Sequence, residues 1–410
     1  MNFQQIISPS LSPNTEANDV REALRVLMRP SSWQQGRAIG EVEEWFRDYL
    51  NTSTAVSLDS GRSALLAILQ SFGIGRGDEV ITQAFTCVAV PNSIRWAGAT
   101  PIYADIDDSF NVDPADASRK ITKRTKAIIV QHTFGTPATM DEILALAAKH
   151  KLLIIEDCAH SLGATYKGKK VGTLGDAAFF SFGRDKAVSS VWGGVATLNI
   201  KYQISNIKYK LEKFQEHLPY PSRAWIGQQL VHPVAFAGIL PTYNLLIGKV
   251  VLELLKRTEC ISMPVCPQEK RGEKPSWMPR RYPNALAQLL VGQLTKLERY
   301  IQIRRRTARA YHQALRSKSR VTLPDIDMQS SYLRLPILAG DRDCLQQKAK
   351  RSGVLLGNWY HHVIDPIGVD LGKLGYASGS CPRAEDAAAR TVNLPTLINK
   401  KEAERVISLF

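Results

Sequence analysis

Short apolar runs alternate with amphipathic stretches through the first half of the chain. Thr54–Leu58, Asp78–Thr82, Pro101–Ile106, Ala127–Gln131, Leu152–Glu156, Ala177–Phe182 and Val195–Asn199 have the length and apolar character of strands. Between them, Ala64–Phe72, Val88–Trp96 and Thr139–His150 read as helices, the last opened by a Thr139/Glu142 capping-box pattern. Glu41–Leu50, ahead of the first run, sets Val42, Trp45, Phe46 and Tyr49 on one helical face. Short strands alternating with helices predict an α/β domain around a mostly parallel, seven-stranded sheet. In such sheets ligands gather at the carboxyl ends of strands. Ser60–Ser63, Asp157 and Ser181–Lys186 all fall at those ends.

The flanks behave differently. Residues 1–20 are polar and broken by Pro9 and Pro13, which predicts an extended arm. The strand–helix rhythm stops over 201–280. Ala224–Gly248 holds no Asp, Glu, Lys or Arg in 25 positions, a length that a membrane span would need. Two prolines, two glutamines, His232 and Asn244 argue against a span. A buried helical insert is the leading expectation, and a membrane-surface or partner-binding hairpin is the other. A helix is expected over Asn284–His312, followed by a smaller α+β unit punctuated by Gly353, Pro366 and Pro382. The expected division is a large domain over 1–275, with an atypical insert at about 201–275, and a small C-terminal domain over 276–410.

Composition narrows the function classes. A formal charge of +15 suits an anionic partner. No helix-turn-helix, zinc-finger or aromatic RNA-binding pattern accompanies it, so nucleic acid is not expected. Phosphate-bearing substrates or a membrane surface fit better. Cysteines at 87, 158, 260, 266, 344 and 381 form no paired CxxC framework, which predicts reduced thiols and no metal site. No basic start followed by an apolar core marks a signal peptide, so a cytoplasmic location is expected.

The chemistry concentrates in two places. One apolar run ends at Ser181, turns at Gly183 and delivers Lys186 ahead of Gly193-Gly194; another ends in Glu156-Asp157. An enzyme using pyridoxal phosphate needs such a pair. The lysine amine forms a Schiff base, and the carboxylate keeps the pyridine nitrogen protonated so that the ring draws in electrons.

Beyond this pair, the chain resembles the DegT/StrS family of pyridoxal-phosphate-dependent sugar aminotransferases, within the aspartate-aminotransferase-like fold type I. The stretches that carry the resemblance include Trp33-Gln34-Gln35-Gly36, Ser60-Gly61-Arg62-Ser63-Ala64-Leu65, Gly77-Asp78-Glu79-Val80-Ile81 and Ala97-Gly98-Ala99-Thr100-Pro101. Further on come Glu156-Asp157-Cys158-Ala159-His160-Ser161, Gly175-Asp176, Ser181-Phe182 with Lys186, Gln293-Leu294 and Asn393-Leu394-Pro395. The resemblance implies a large cofactor-binding domain, a smaller C-terminal α+β domain and a homodimer.

It also implies roles. Lys186 would hold the cofactor and move the proton, and Asp157 would pair with the pyridine nitrogen. His160 would lie near the ring oxygen, or else be a satisfied core histidine. Gly61, Arg62 and Ser63 would cradle the phosphate at a helix N-terminus, with a hydroxyl from Ser181. Arg62 stands where many relatives have Thr, so it either reaches the phosphate or points to solvent. Cys87 takes the position that often carries an aromatic over the ring. Pro279 takes that of an Asn given across the dimer, leaving Arg280 or Arg281 to remake the contact, with Arg281 at the family's Arg position. Tyr360 and His361 are candidates for lining an acceptor pocket.

The expected activity is transfer of an amino group from an amino acid, L-glutamate by resemblance, to a keto group of a nucleotide-linked sugar in polysaccharide or natural-product synthesis. The alternatives are an acceptor other than a sugar, and a non-catalytic regulatory protein on the same fold that docks through 224–248.

Overall fold

The computed structural model describes residues 6–202 and 205–410. Its main sheet is built from β1 (Ala55–Leu58), β2 (Glu79–Gln83), β3 (Thr100–Ala104), β4 (Thr125–Gln131), β5 (Leu153–Asp157), β6 (Ala177–Ser181) and β7 (Gly194–Leu198). The seven strands lie in the order β1-β7-β6-β5-β4-β2-β3. Only β7 runs against its neighbours. All seven expected strands are present, and the carboxyl ends of all but β7 lie along one edge.

The sheet is covered on both faces. Within β6 the period of two sends Ala178 and Phe180 to one core and Ala177 and Phe179 to the other. The first core adds Phe46, Phe182, Leu286, Leu290 and Tyr300; the second adds Leu65, Ile68, Val80, Ile129 and Ile155. A small antiparallel sheet follows, in the order β8 (Val321–Thr322), β9 (Arg334–Ala339), β10 (Thr391–Pro395). Helices Leu297–Leu315 and Lys400–Ile407 pack on it through Tyr311, Leu335, Ile337, Val392 and Val406.

Three local expectations are corrected. The arm is not extended throughout, because a helix starts at Ala17 and runs to Leu27, burying Ala23 and Val26. The stretch Asn284–His312 is two helices, Asn284–Leu294 and Leu297–Leu315. At the break, Lys296 is buried and bonds to Asp19 at 2.7 Å. Thr139 precedes helix Met140–His150 but makes no side-chain cap.

The irregular middle is helical: Asn206–Glu216, Arg223–Thr242 and Ile247–Arg257. The helix Arg223–Thr242, free of Asp, Glu, Lys and Arg after its first residue, packs Ile226 and Leu230 beside Ala23 and Val26, and Phe236 and Ile239 against Leu252. No helix among the described residues is long and apolar enough to cross a membrane.

Candidate functional site

The first part of the site is a helix N-terminus. β1 leads into Asp59-Ser60, and the helix runs Gly61–Ser71. Ser60 Oγ accepts the Ser63 backbone N–H at 3.3 Å, which caps the helix. Asp59 is buried beneath this turn, accepting from Ser63 Oγ at 2.5 Å and from Arg280 Nε at 3.2 Å. Burial pushes its carboxyl up, and Arg280 opposes the shift. Backbone approaches closely here: a Cβ on Gly194 would lie 2.4 Å from the Ser60 carbonyl carbon, and one on Gly61 3.0 Å from Ser181 Cβ. The turn thus joins first-turn N–H groups, the Ser181 hydroxyl and, through Asp59, Arg280, whose buried Nη2 has no hydrogen-bond partner among the described residues. That donor set suits a phosphate dianion.

Arg62 takes neither of its two expected courses. Its buried guanidinium pairs with Glu269, donates to the Pro264 carbonyl at 3.0 Å and lies 4.9 Å from the Trp192 ring. Only its backbone belongs to the helix N-terminus. Arg281 also faces elsewhere, donating to the carbonyls of Gln215 at 3.1 Å and Glu216 at 2.8 Å.

The second part lies at the ends of β5 and β6. Lys186 follows the turn at Gly183, and Asn14 of the N-terminal arm donates to its carbonyl at 3.2 Å. Gln293 and Tyr300 hold the Asn14 carbonyl at 2.9 and 3.0 Å, which gives Gln293 a physical task. Burial lowers the Lys186 amine, and Asp185, Cys87 and Asp157 partly restore it. The Asp157 carboxylate accepts one hydrogen bond among the described residues, from the Ala159 N–H at 3.0 Å. Burial raises its carboxyl to about 6, against the pull of that bond and of Lys186 and His132.

His160 is held neutral, its pKa driven well down by burial and then by Lys186 and Arg334. Nδ1 accepts the Phe134 N–H at 3.3 Å, which leaves the proton on Nε2, 3.5 Å from Tyr360 Oη. Trp359 stacks on His160 with centroids 5.1 Å apart and planes 17° from parallel. The same indole lies 4.5 Å from Lys186 Nζ and 3.7 Å from the Arg334 guanidinium. Arg334 is fully buried, donating to Asp185 at 2.8 Å and to Asn393 Oδ1 at 3.3 Å. Asn393 Oδ1 also accepts the Trp359 N–H at 3.0 Å.

The remaining candidates divide. Cys87 pairs in register with Asp365 in a short parallel bridge, and burial lifts its thiol to about 11 while Lys186 pulls it down. Tyr360 is buried, edge-on to Phe85 at 5.3 Å. His361 turns away, its ring 3.3 Å from Gln346 and its pKa lowered to about 4 by burial and Arg342. Nearby, His132, Glu156 and Cys158 lie close together. Glu156 is already satisfied by the N–H groups of Gly172, Leu174 and Gly175 and by His132, a cross-brace under β5.

Trp359, Arg334, Asp185 and Asn14 were missed in the sequence. Arg334 left a signal: one charge inside Leu333-Arg334-Leu335-Pro336-Ile337-Leu338, where an unpaired cation is costly.

A GDP-perosamine synthase of Caulobacter vibrioides is 46% identical over 165 residues, which is 40% of this chain and 44% of that protein. The match thus spans less than half of that relative's length. A pleiotropic regulatory protein of Geobacillus stearothermophilus is 30% identical over 403 residues, 94% of this chain and 91% of its own. The PLP form of the putative sugar aminotransferase Spr1654 from Streptococcus pneumoniae superposes with a TM-score of 0.75 at 21% identity, over 100% of this chain and 97% of that one. That likeness shows the fold. The family pattern of the DegT/DnrJ/EryC1/StrS aminotransferases matches residues 14–217 and 260–410. The chain therefore belongs to the DegT/DnrJ/EryC1/StrS aminotransferase family, and pyridoxal phosphate is the cofactor to which family and fold point.

Proposed function

We propose that this protein moves an amino group from L-glutamate to a keto group of a nucleotide-linked sugar, using pyridoxal phosphate. The observation that carries the reading is the pairing of Lys186, whose amine burial makes easier to deprotonate, with Asp157 at the next strand end. The residues present fit the cofactor. The Gly61–Ser63 N–H groups, Ser181 and the unpartnered Arg280 Nη2 suit the phosphate, and Asp157 keeps carboxylate capacity to spare for the pyridine nitrogen. When bound, the cofactor supplies an electron-withdrawing ring and an aldehyde carbon that takes up the amino group.

The chain's own groups do the rest. Lys186 would hold the cofactor through its amine; once the donor's amino group had displaced that amine, the freed amine would take the proton from the donor's α-carbon and pass it on. Asp157, as carboxylate, holds the ring nitrogen protonated. His160, neutral, donates from Nε2 beside the ring. Trp359 covers the amine and excludes water, the part that an aromatic at position 87 would play. The basic balance of the chain favours a diphosphate-bearing acceptor. In this reading residues 1–275 form the cofactor-binding unit and 276–410 the smaller one, and the enzyme works as a cytoplasmic homodimer.

A second reading has its own support. Cys87 and Pro279 depart from the family's cofactor shell, and the relative matched over nearly its whole length is a regulatory protein. A non-catalytic protein on this fold would not turn over. Incubation with L-glutamate and a panel of nucleotide-linked keto-sugars, followed by mass spectrometry, separates the two. The enzyme reading expects an amino sugar and 2-oxoglutarate in equal amounts. If aminated product forms only from simple oxo acids, the sugar-nucleotide acceptor is wrong; if none forms with any acceptor, the regulatory reading stands.

A further inference from the structure

The segment between residues 217 and 260 falls outside the family pattern. It contains the helix Ile247–Arg257, whose circumference divides into three. Gly248 and Leu252 are buried and Leu255 is partly buried, with Leu252 and Leu255 packed beside Phe236 and Ile239. Lys249, Glu253, Lys256 and Arg257 form a charged arc on which Glu253 pairs with Arg257 at 3.1 Å. The third arc is Ile247, Val250, Val251 and Leu254, spaced i, i+3, i+4 and i+7, which places them on one face. Together with Leu246 and Met263 these side chains are 38–66% exposed. Clustered exposed aliphatics on a segment outside the family pattern mark an interaction surface.

We propose that this face docks on an anionic lipid surface. Three features select that occupant. An apolar stripe beside a charged arc rich in Lys and Arg is the pattern of helices that lie in a membrane interface. The helix carries three basic residues and one acidic residue, on a chain of net charge +15, so attraction to anionic headgroups adds to burial of the stripe. Six side chains are few beside the roughly 20–30 residues per side of a stable protein interface, whereas shallow lipid insertion needs no more. Of the expected contact over 224–248, the helix Arg223–Thr242 packs apolar side chains beside Ala23, Val26 and Leu252, and the membrane contact falls on Leu246, Ile247 and the rest of the helix Ile247–Arg257.

The test is flotation of the full-length protein with vesicles of phosphatidylcholine and phosphatidylglycerol, and with phosphatidylcholine alone. The wild type should float with the anionic vesicles, bind the neutral ones weakly, and be released by salt. The double variant Val250→Asp/Leu254→Asp should lower the bound fraction about tenfold. Val250→Ser/Leu254→Ser should lower it less, while circular dichroism and amino transfer in lipid-free buffer stay unchanged for both. Absence of wild-type flotation, or equal flotation of the variants, overturns the proposal. So does lipid-free self-association that Val250→Asp/Leu254→Asp abolishes, which would give the face to a second copy of the chain.

Discussion

The indole of Trp359 lies 4.5 Å from Lys186 Nζ, although Lys186 is in the loop after β6 and Trp359 is in a turn tied to the small sheet by Asn393. Arg334 stacks on the same indole at 3.7 Å and is held there by Asp185, next in sequence to Lys186. A turn tied to the small sheet therefore brings an aromatic side chain to Lys186. Trp359→Ala should weaken pyridoxal-phosphate binding about tenfold, and Trp359→Phe by less. This is the scale of an aromatic contact of about 1–1.5 kcal/mol. Quenching of indole emission on titration with the cofactor reads the effect, and the wild type should quench more strongly than Trp359→Phe. Equal affinities in all three proteins would mean that Trp359 covers nothing.

Asp157 gives a pH signature in the cofactor-free protein. Its folded-state carboxyl is raised to about 6, above the 3.8 of an exposed one. Between those values the native state holds the proton that the unfolded chain releases, so this group's contribution falls as pH rises through that window. Asp365, also raised to about 6, acts the same way, and His361, lowered to about 4, acts oppositely. The difference between wild type and Asp157→Asn isolates the one group. Asp157→Asn should gain stability relative to wild type by up to about 3 kcal/mol between pH 4 and 6.5, read by denaturant melts at each pH. A difference independent of pH would place Asp157 in an ordinary solvated setting.

Gly194 tests the phosphate cradle. A methyl there would meet the Ser60 carbonyl carbon at 2.4 Å, and backbone cannot yield as a flexible side chain can. Gly194→Ala should cost about 1–3 kcal/mol of stability and weaken cofactor binding by displacing the helix N-terminus. Gly238 is helical with no neighbour within 4 Å of an added Cβ. Gly238→Ala should be neutral or stabilising by up to about 1 kcal/mol, with binding unchanged. Thermal melts with and without pyridoxal phosphate check both.

The seven strands were legible because each is a short apolar run whose neighbours in sequence are helices, and a sheet buried on both faces leaves that mark. Lys186 and Asp157 were legible because strand ends are where such a sheet presents chemistry. The helix Ala17–Leu27 was not, since it buries only Ala23 and Val26 and otherwise reads as polar. The break before Leu297 was hidden because Lys296 is helix-compatible, and its partners Glu16, Asn18 and Asp19 lie far back in the chain. Arg62 was misjudged for a similar reason: Glu269, which neutralises it, is 207 residues away in sequence. Trp359 and Arg334 reach the site through pairing of β9 with β10 and the Asn393 hydrogen bonds, which no local pattern encodes.

The most direct measurement is the visible spectrum of the purified protein and of Lys186→Ala, with pyridoxal phosphate and then L-glutamate added. The wild type should develop a visible band that glutamate converts to near-ultraviolet absorption with release of one equivalent of 2-oxoglutarate, and Lys186→Ala should do neither. A wild type that stays colourless, or a Lys186→Ala protein that completes the conversion, would contradict the assignment of the chemistry to Lys186.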